Sequence, residues 1–220
     1  MAAGPPIDLS AVPLFPLPSV VLFPRAVLPL HIFEDRYRHM TADALAGERR
    51  IAMALLKPGW EKSYYGRPAI EPIVCVGEIL SSEKLPDGKY NFLLQGTTRA
   101  RILRELPFDK PYRQAQLSPL EQVPALEIDL EPARRRIEQI FTQSSLAKSP
   151  AGQQFARLVR SHLPTPEVAD LAAFTFIDEV ATKQSLLAET DVRHRVERII
   201  ELLAPLAQTS AFTPANPSLN

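Results

Sequence analysis

Residues 14–37 read LFPLPSVVLFPRAVLPLHIFEDRY, a stretch in which four prolines stand among large apolar residues before the chain turns to charge. Proline lacks a backbone N–H and disfavours the α conformation in the residue before it, so the stretch cannot form one continuous helix. Residues 20–23 are therefore predicted to form a short buried strand with prolines at its margins. A helix is predicted to begin at residues 32–34, to bury Phe33 and Tyr37, and to end at Gly47.

Composition limits the classes of function. The 220 residues are 45% hydrophobic and 23% charged, with a formal net charge of zero, which describes an ordinary globular protein without a field that would recruit nucleic acid or an anionic membrane. The single cysteine, Cys75, has no internal partner for a disulfide, and no apolar signal segment opens the chain. We therefore expect a cytoplasmic protein with no membrane partner; the oligomeric state stays open.

The first half of the chain has the pattern of a β-structure. Short apolar or alternating runs between turn signals predict five to seven strands, at residues 20–23, 51–56, 70–80, 89–94, 98–106 and 112–117. Gly77 suggests a bulge or a close backbone approach, whereas Gly96 is expected to end a strand. Many short strands with tight turns favour a compact, mainly antiparallel β-barrel.

Beyond residue 123 the period changes from two to 3.6. Helices are predicted to start at Glu131 with Pro132 in the first turn, at residue 152, after a cap at Thr165, near residue 183 and after Asp191. The predicted fold class is α+β, a β-barrel followed by a C-terminal helical bundle. The expected divisions are a loose tail at residues 1–11, the barrel at 12–122, the helices at 123–207 and a disordered tail at 208–220.

No arrangement of residues indicates catalysis. The sequence has no G-x-S-x-G elbow and no phosphate-binding glycine loop. His31, Asp35 and His39 have a spacing that could share a helix face, but capping and surface ion pairs explain such residues better than a metal does. The sequence predicts no catalytic residue, no metal and no cofactor.

Two groups of residues suggest binding. Trp60, Tyr64 and Tyr65 lie in the polar segment at residues 60–68, where aromatic side chains either fold back onto the strands or form a contact patch, with packing slightly favoured. The second group is basic and consists of Arg99, Arg101 and Arg104. It would suit phosphate, but the chain has no basic excess, so nucleic-acid binding is the alternative that we favour less.

The segments PLFPLPSVVLFPRAVLPLHIFEDRYRHM, IAMALLKPG, IVCVGEIL, LPDGKYNFLLQGTTRARI and ETDVRHRVERIIELL resemble the N-terminal, substrate-binding domain of Lon proteases. The resemblance spans residues 12–206 and is loosest at FTFIDEVATKQSLL. It implies a PUA-like β-barrel followed by helices, with a role in engaging polypeptide substrates and in assembly. The residues that belong to the family motifs are interpreted as structural: Pro16, Pro24, Phe33, Glu34, Arg36, Tyr37, Gly77 and Gly96.

Full-length Lon proteases continue into an ATPase module and a protease module, and no Walker motif occurs in this sequence. The resemblance therefore implies a standalone, non-catalytic polypeptide-binding module, with an unfolded or client polypeptide as partner and a separate ATPase-protease as a further candidate. The expected contact residues are Trp60, Tyr64, Tyr65 and Phe15. RNA binding through the barrel is the alternative, and a cryptic hydrolase is the least favoured.

Overall fold

The computed structural model of the protein describes residues 8–206, in which six β-strands are followed or interrupted by six α-helices. The strands are β1 (Val12–Leu17), β2 (Val27–Ile32), β3 (Arg50–Leu55), β4 (Ile73–Lys84), β5 (Tyr90–Glu105) and β6 (Arg113–Pro119). The helices are α1 (Asp35–Ala46), α2 (Glu127–Gln143), α3 (Pro150–Val159), α4 (Thr165–Phe176), α5 (Val180–Ala188) and α6 (Val192–Leu206). Two short 3₁₀ turns lie at Trp60–Ser63 and Ser145–Lys148. The α+β class is thus as predicted; the tail at 208–220 and most of the tail at 1–11 lie outside the described residues.

The described residues divide into two compact units. One comprises residues 8–22 and 27–120, which hold all six strands and α1, and the other comprises residues 23–26 and 121–206, which hold the other five helices. The two units are described separately below.

The strands of the first unit form one mixed sheet in the order β2-β5-β4-β3-β1-β6. All neighbouring pairs are antiparallel except β1 and β3, which are parallel. Because β5 pairs with β6 as well as with β4 and β2, the pairings among β5, β4, β3, β1 and β6 close into a cycle. The apolar core of the cycle combines small and branched side chains from its strands, among them Leu14, Ala52, Val74, Ala100 and Ala115.

Two strands lie in the proline-rich opening stretch, and neither is at residues 20–23 as predicted. Residues 20–23 connect β1 to β2 and are not a strand. The prediction was wrong because it placed the strand in the apolar run between prolines, whereas β1 contains Pro13 and Pro16 and β2 contains Pro29. Pairing with β6 ends at Leu14, and the carbonyl of Leu17 faces β3, where it accepts from Leu56 N–H at 3.0 Å. The backbone groups of successive residues point to opposite sides of a strand, so the nitrogen of Pro16 points away from β3, to the side of β6. The pairing with β6 ends before Pro16, so no hydrogen bond is lost there.

Glycine has two different roles in the longest pair of strands. The predicted bulge at Gly77 is confirmed by a register shift between Val76 and Gly77, and a β-carbon built on Gly77 would lie 2.7 Å from Leu94 Cγ. The predicted break at Gly96 is wrong. β5 continues through it for 16 residues because Gly96 pairs directly with Gly77, so the two glycines allow a close approach inside a continuous ladder.

Helix α1 begins at Asp35 and ends at Gly47, which caps it through its backbone N–H, so the predicted end is confirmed. Its buried side is formed by Tyr37, Met40, Thr41 and Ala44. Phe33 lies before the helix and is 47% exposed, so the prediction that it packs on the buried face was wrong. The cause is the start of the helix, because Glu34, still extended at ψ 135°, is its N-cap.

In the second unit three phenylalanines from α2, α3 and α4 meet at the centre. The ring centroids of Phe141, Phe155 and Phe176 lie 4.9–5.1 Å apart. A buried ion pair joins α4 to α6, since Arg195 Nε lies 3.2 Å from Asp170 Oδ1 and both side chains are at most 3% exposed.

Two predicted helix starts need correction. Helix α2 begins at Glu127, and Pro132 is inside it. Because this proline has no N–H, the carbonyl of Ile128 lacks its helical hydrogen bond. Ile128 is 73% exposed, so water can donate to that carbonyl instead. Thr165 is not a side-chain cap; its hydroxyl and its backbone N–H both donate to the carboxylate of Glu127 on α2.

Candidate functional site

The aromatic loop of the first unit begins with a left-handed turn at Gly59, whose φ is 87°. It continues through the 3₁₀ turn Trp60–Ser63 to Tyr64 and Tyr65. The rings stack edge to face in sequence, with centroids 5.5 Å apart for Trp60 and Tyr64 and 5.2 Å apart for Tyr64 and Tyr65. Trp60 and Tyr64 are half-buried, whereas Tyr65 is 91% exposed. The loop therefore packs at its base and exposes one ring.

Residues at the start of α1 hold this loop in place. The hydroxyl of Tyr64 donates to Glu34 Oε1 at 2.6 Å, and Arg36 Nε donates to Glu34 Oε2 at 3.1 Å. Arg36 Nη1 also donates to the backbone carbonyl of Tyr64 at 3.3 Å. The guanidinium carbon lies 4.6 Å from the ring centre of Tyr37 and 4.8 Å from that of Tyr64, so Arg36 stacks between two rings. Burial and the bond to Glu34 raise the pKa of Tyr64, which keeps its hydroxyl a donor.

A cleft of about 120 Å³ opens between this loop, the start of α1 and the segment before β6. It is smaller than the roughly 300–1,000 Å³ of pockets that enclose small-molecule ligands, and its size suits a single side chain. Aromatic and proline rings dominate its lining, which consists of Pro16, Arg36, Tyr37, Leu56, Tyr64, Tyr65, Gly66, Pro68, Phe108, Pro111, Tyr112 and Arg113.

Tyr37 is one of the two deeply buried tyrosines in this lining, the other being Tyr112. It is 5% exposed, and its ring packs against Phe15 with the centroids 4.5 Å apart. Within residues 8–206 its hydroxyl has no hydrogen-bond partner, in contrast to the hydroxyls of Tyr64 and Tyr112. Burial raises the pKa of Tyr37 well above its ordinary value, so the group is a neutral hydroxyl at physiological pH.

The charged side chains that line the cleft are both arginines, Arg36 and Arg113, and no acidic side chain lines it. Arg113 is 7% exposed and is neutralised by Glu105, to which its Nε donates at 2.9 Å, while its Nη1 donates to the carbonyl of Pro68 at 2.7 Å. At the rim Arg67 lies over the exposed ring of Phe108, with the guanidinium carbon 4.4 Å from the ring centre. No carboxylate in the described part of the chain pairs with Arg67.

The structure brings together part of the predicted contact set. Tyr64 and Tyr65 line the cleft, and Trp60 supports Tyr64 from behind without lining it. Phe15 does not belong to the exposed surface, because it is 3% exposed and lies beneath Tyr37; its predicted role as a contact residue is corrected to a supporting one. Phe108 also lines the cleft and is 62% exposed. It was not predicted, since a single phenylalanine in an irregular segment carries no periodic signal.

The predicted basic group does not form one surface. Arg99 is 4% exposed, whereas Arg101 and Arg104 are exposed. The register of β5 against β6 shifts between Ile102 and Arg104. Arg104 Nε donates to Gln116 Oε1 at 2.9 Å. The nucleic-acid alternative therefore loses one of its three residues.

The histidines have local partners. His31 Nδ1 lies 2.7 Å from Asn91 Oδ1 on β5, and His39 Nδ1 lies 2.8 Å from the backbone oxygen of Asp35. In residues 8–206 no group of three or more histidine, cysteine or acidic side chains could hold a metal ion. Over the same residues no helix is both long and apolar enough to cross a membrane.

The described lining of the cleft is mainly aromatic and contains no serine, cysteine, histidine or carboxylate. The chain belongs to the family of ATP-dependent protease La (LON) substrate-binding domains, whose model matches residues 11–205. The matched domain is thus the substrate-binding part of Lon and not its catalytic protease domain.

Curated relatives agree with this assignment. The chain is 27% identical over 193 residues to a Lon protease of Desulfosudis oleivorans, covering 87% of this chain and 23% of that protein. It is 28% identical over 189 residues to Lon protease 1 of Syntrophobacter fumaroxidans, again covering 86% of this chain and 23% of the relative. The chain thus spans about a quarter of the length of these relatives.

Solved structures show the same fold. The N-terminal domain of a Mycobacterium avium complex Lon protease superposes with a TM-score of 0.69 at 16% identity, covering 89% of this chain and 98% of that one. A Lon N-terminal domain protein from Xanthomonas campestris gives a TM-score of 0.61 at 23% identity, covering 87% and 98%.

Proposed function

We propose that this chain is a non-catalytic polypeptide-binding module and that the aromatic cleft holds one side chain of an extended client segment. The observation that carries the proposal is the pair of exposed rings, Tyr65 and Phe108, that both line one small cleft. Large aromatic side chains are costly to leave in water, and they dominate the energetics of interfaces.

The support beneath these rings favours binding over chance exposure. Glu34, Arg36 and Tyr64 form a connected set of hydrogen bonds and ring contacts that fixes the loop before any partner arrives. A preorganised site loses less conformational entropy when it binds. Membership in the Lon substrate-binding family supports a polypeptide as the partner.

The proposal also covers the architecture of the two units, the partner protein and the cellular location. The closed cycle of strand pairings supports a PUA-like β-barrel over residues 12–122, and the contacts among α2–α6 support a helical bundle over residues 123–207. We also propose that the protein cooperates with a separate ATPase-protease in the cytoplasm, which membership of the family supports.

The test is a titration of fluorescently labelled, reduced and carboxymethylated α-lactalbumin, which cannot fold, with the purified protein in the absence of nucleotide. We expect saturable binding that survives moderate salt and that weakens by at least about tenfold in the double variant Tyr65→Ala, Phe108→Ala, as for truncated interface anchors. The matched control is Phe33→Ala, which removes an aromatic ring that is 47% exposed and does not line the cleft. Equal loss in both variants, or no binding by the wild type, would contradict the proposal.

A further inference from the structure

We infer that the side chain taken by the cleft is proline, and that the client segment is a proline-containing extended peptide with an acidic residue beside the proline. The inference rests on the proposed polypeptide-binding function and names the chemistry of the segment. It depends on the shape of the lining, on the hydroxyl of Tyr37 and on the sign of the charge.

The shape of the lining fits a flat, rigid ring. Five aromatic rings and three prolines surround about 120 Å³, which excludes a large aromatic guest together with its backbone but leaves room for a pyrrolidine ring. Aromatic-lined grooves recognise proline-rich segments in several unrelated domains, because such segments are already extended in the polyproline II conformation and little entropy is lost on binding. Two of these rings, Tyr65 and Phe108, are exposed and can contact the bound segment.

The hydroxyl of Tyr37 supplies the polar contact. Tyr37 is only 5% exposed and lines the cleft, and its hydroxyl has no hydrogen-bond partner within residues 8–206. The Tyr37 oxygen is not among the fully buried polar atoms of the described residues that lack a partner, so it is accessible from the cleft and can donate to an acceptor on a bound segment. The backbone carbonyl of an extended peptide is such an acceptor, and the carbonyl of the residue before a proline is a strong one that no intrachain ladder occupies.

Charge complementarity selects the flanking residue. The lining holds Arg36 and Arg113 and no carboxylate. Both arginines are already paired, Arg36 with Glu34 and Arg113 with Glu105, so the charge that is left for a client carboxylate is at the rim. Arg67 at the rim uses one nitrogen to donate to the carbonyl of Leu106 at 3.1 Å and has no carboxylate partner among the described residues. An aspartate or glutamate next to the bound proline would meet this guanidinium at the edge of the Phe108 ring.

The experiment compares three fluorescein-labelled peptides by anisotropy: EDPPLPPDE, the same peptide with every proline replaced by alanine, and the same peptide with every acidic residue replaced by lysine. We expect the first to bind at least about tenfold more tightly than either of the others. Tyr37→Phe removes only the unpartnered hydroxyl and should weaken the first peptide by about three- to tenfold, the effect of one hydrogen bond. Tyr90→Phe, which loses a phenol hydroxyl away from the cleft, should not.

The outcomes separate the two proposals. If the unfolded α-lactalbumin binds but the proline and alanine peptides bind alike, the proline preference is overturned while polypeptide binding stands. If the proline peptide is preferred but Tyr37→Phe binds it as tightly as the wild type, the assigned hydrogen bond is overturned. If none of the polypeptides binds, both proposals fail. Far-UV circular dichroism and the thermal midpoint of each variant verify that it is folded.

Discussion

The hydroxyl of Tyr64 donates a 2.6 Å hydrogen bond to the carboxylate of Glu34, thirty residues earlier in the chain. The bond fastens the aromatic loop to the residue that begins α1, and Arg36 completes the connection from the other side of the same carboxylate. A family-motif residue that looks purely structural in the sequence therefore sets the position of the exposed rings.

The first prediction concerns this bond. Tyr64→Phe should lower the free energy of unfolding by about 1 kcal/mol, less than the full value for a hydrogen bond to a charged group because the pair is partly solvated. Tyr65→Phe is the matched control, since the hydroxyl of Tyr65 has no partner in the described residues and its side chain is 91% exposed. Urea denaturation of both variants measures the difference. Equal stability of the two would show that the loop is held by ring packing alone.

The second prediction uses the buried ion pair of the helical unit. Asp170→Ala should cost about 3–5 kcal/mol of unfolding free energy, because it leaves the guanidinium of Arg195 buried without its counter-ion. The comparison is Glu201→Gln in the exposed pair with Arg198, whose side chains are more than half exposed and which should change stability by less than about 0.5 kcal/mol. Denaturation curves with unchanged slopes are required for the comparison. Similar small losses of stability in Asp170→Ala and Glu201→Gln would refute this prediction.

The third prediction reverses the usual sign of a helix substitution. Glycine to alanine inside a helix normally stabilises by about 1 kcal/mol. A β-carbon on Gly152 in α3 would overlap the backbone carbonyl of Leu146, which cannot move aside as a side chain would. Gly152→Ala should therefore destabilise, by about 1–3 kcal/mol, and lower the thermal midpoint. The control is Gln153→Ala at the next, exposed position, which should not lower the thermal midpoint. A raised midpoint for Gly152→Ala would contradict the packing described.

The fourth prediction concerns acid stability. The hydrogen bonds that Lys110 and Tyr112 donate to Asp43 hold the pKa of this carboxyl below its ordinary value of 3.8. A carboxyl with a lowered pKa in the folded state binds fewer protons than in the unfolded state, so its contribution to stability is complete above the unfolded pKa and is lost as the pH falls through the folded one.

The wild type should accordingly exceed Asp43→Asn in stability by a constant amount above about pH 5, and the excess should shrink as the pH falls below about 4. Urea melts from pH 7 to pH 2.5 measure this. Lys110→Met removes the largest cause of the shift and should lose much of the same pH dependence. A difference between wild type and Asp43→Asn that stays constant down to pH 2.5 would contradict the assignment.

Local signals in the sequence were sufficient for the elements in which they agree. The helix that ends at Gly47, the bulge at Gly77 and the turn before β5 follow from residue preferences alone. The strand that contains Pro16 could not be predicted, because a proline is tolerable there only if a neighbouring strand has ended, and β6 lies about a hundred residues further on. The prediction that Gly96 ends a strand failed for the same reason, because the role of Gly96 depends on its pairing with Gly77 on the neighbouring strand.

The candidate site shows the same limit. The aromatic loop could be singled out from its composition, and Tyr64 and Tyr65 do line the cleft. The other aromatic residues of the lining include Phe108 and Tyr112, which come from a segment more than forty residues further along the chain, and only the tertiary fold brings them near. The unpartnered state of the Tyr37 hydroxyl is likewise a property of surroundings, which no spacing in the sequence encodes.

The register of β1 has a consequence for synthesis. Val12 emerges from the ribosome early, and its partner Ala115 on β6 follows about a hundred residues later. Until then the nascent chain presents one edge of β1 unpaired, and the cycle of strands cannot close. The proline at position 16 leaves that unpaired edge with one fewer N–H donor. It reduces the ability of the edge to pair with a neighbouring nascent chain while the last strand is still being made.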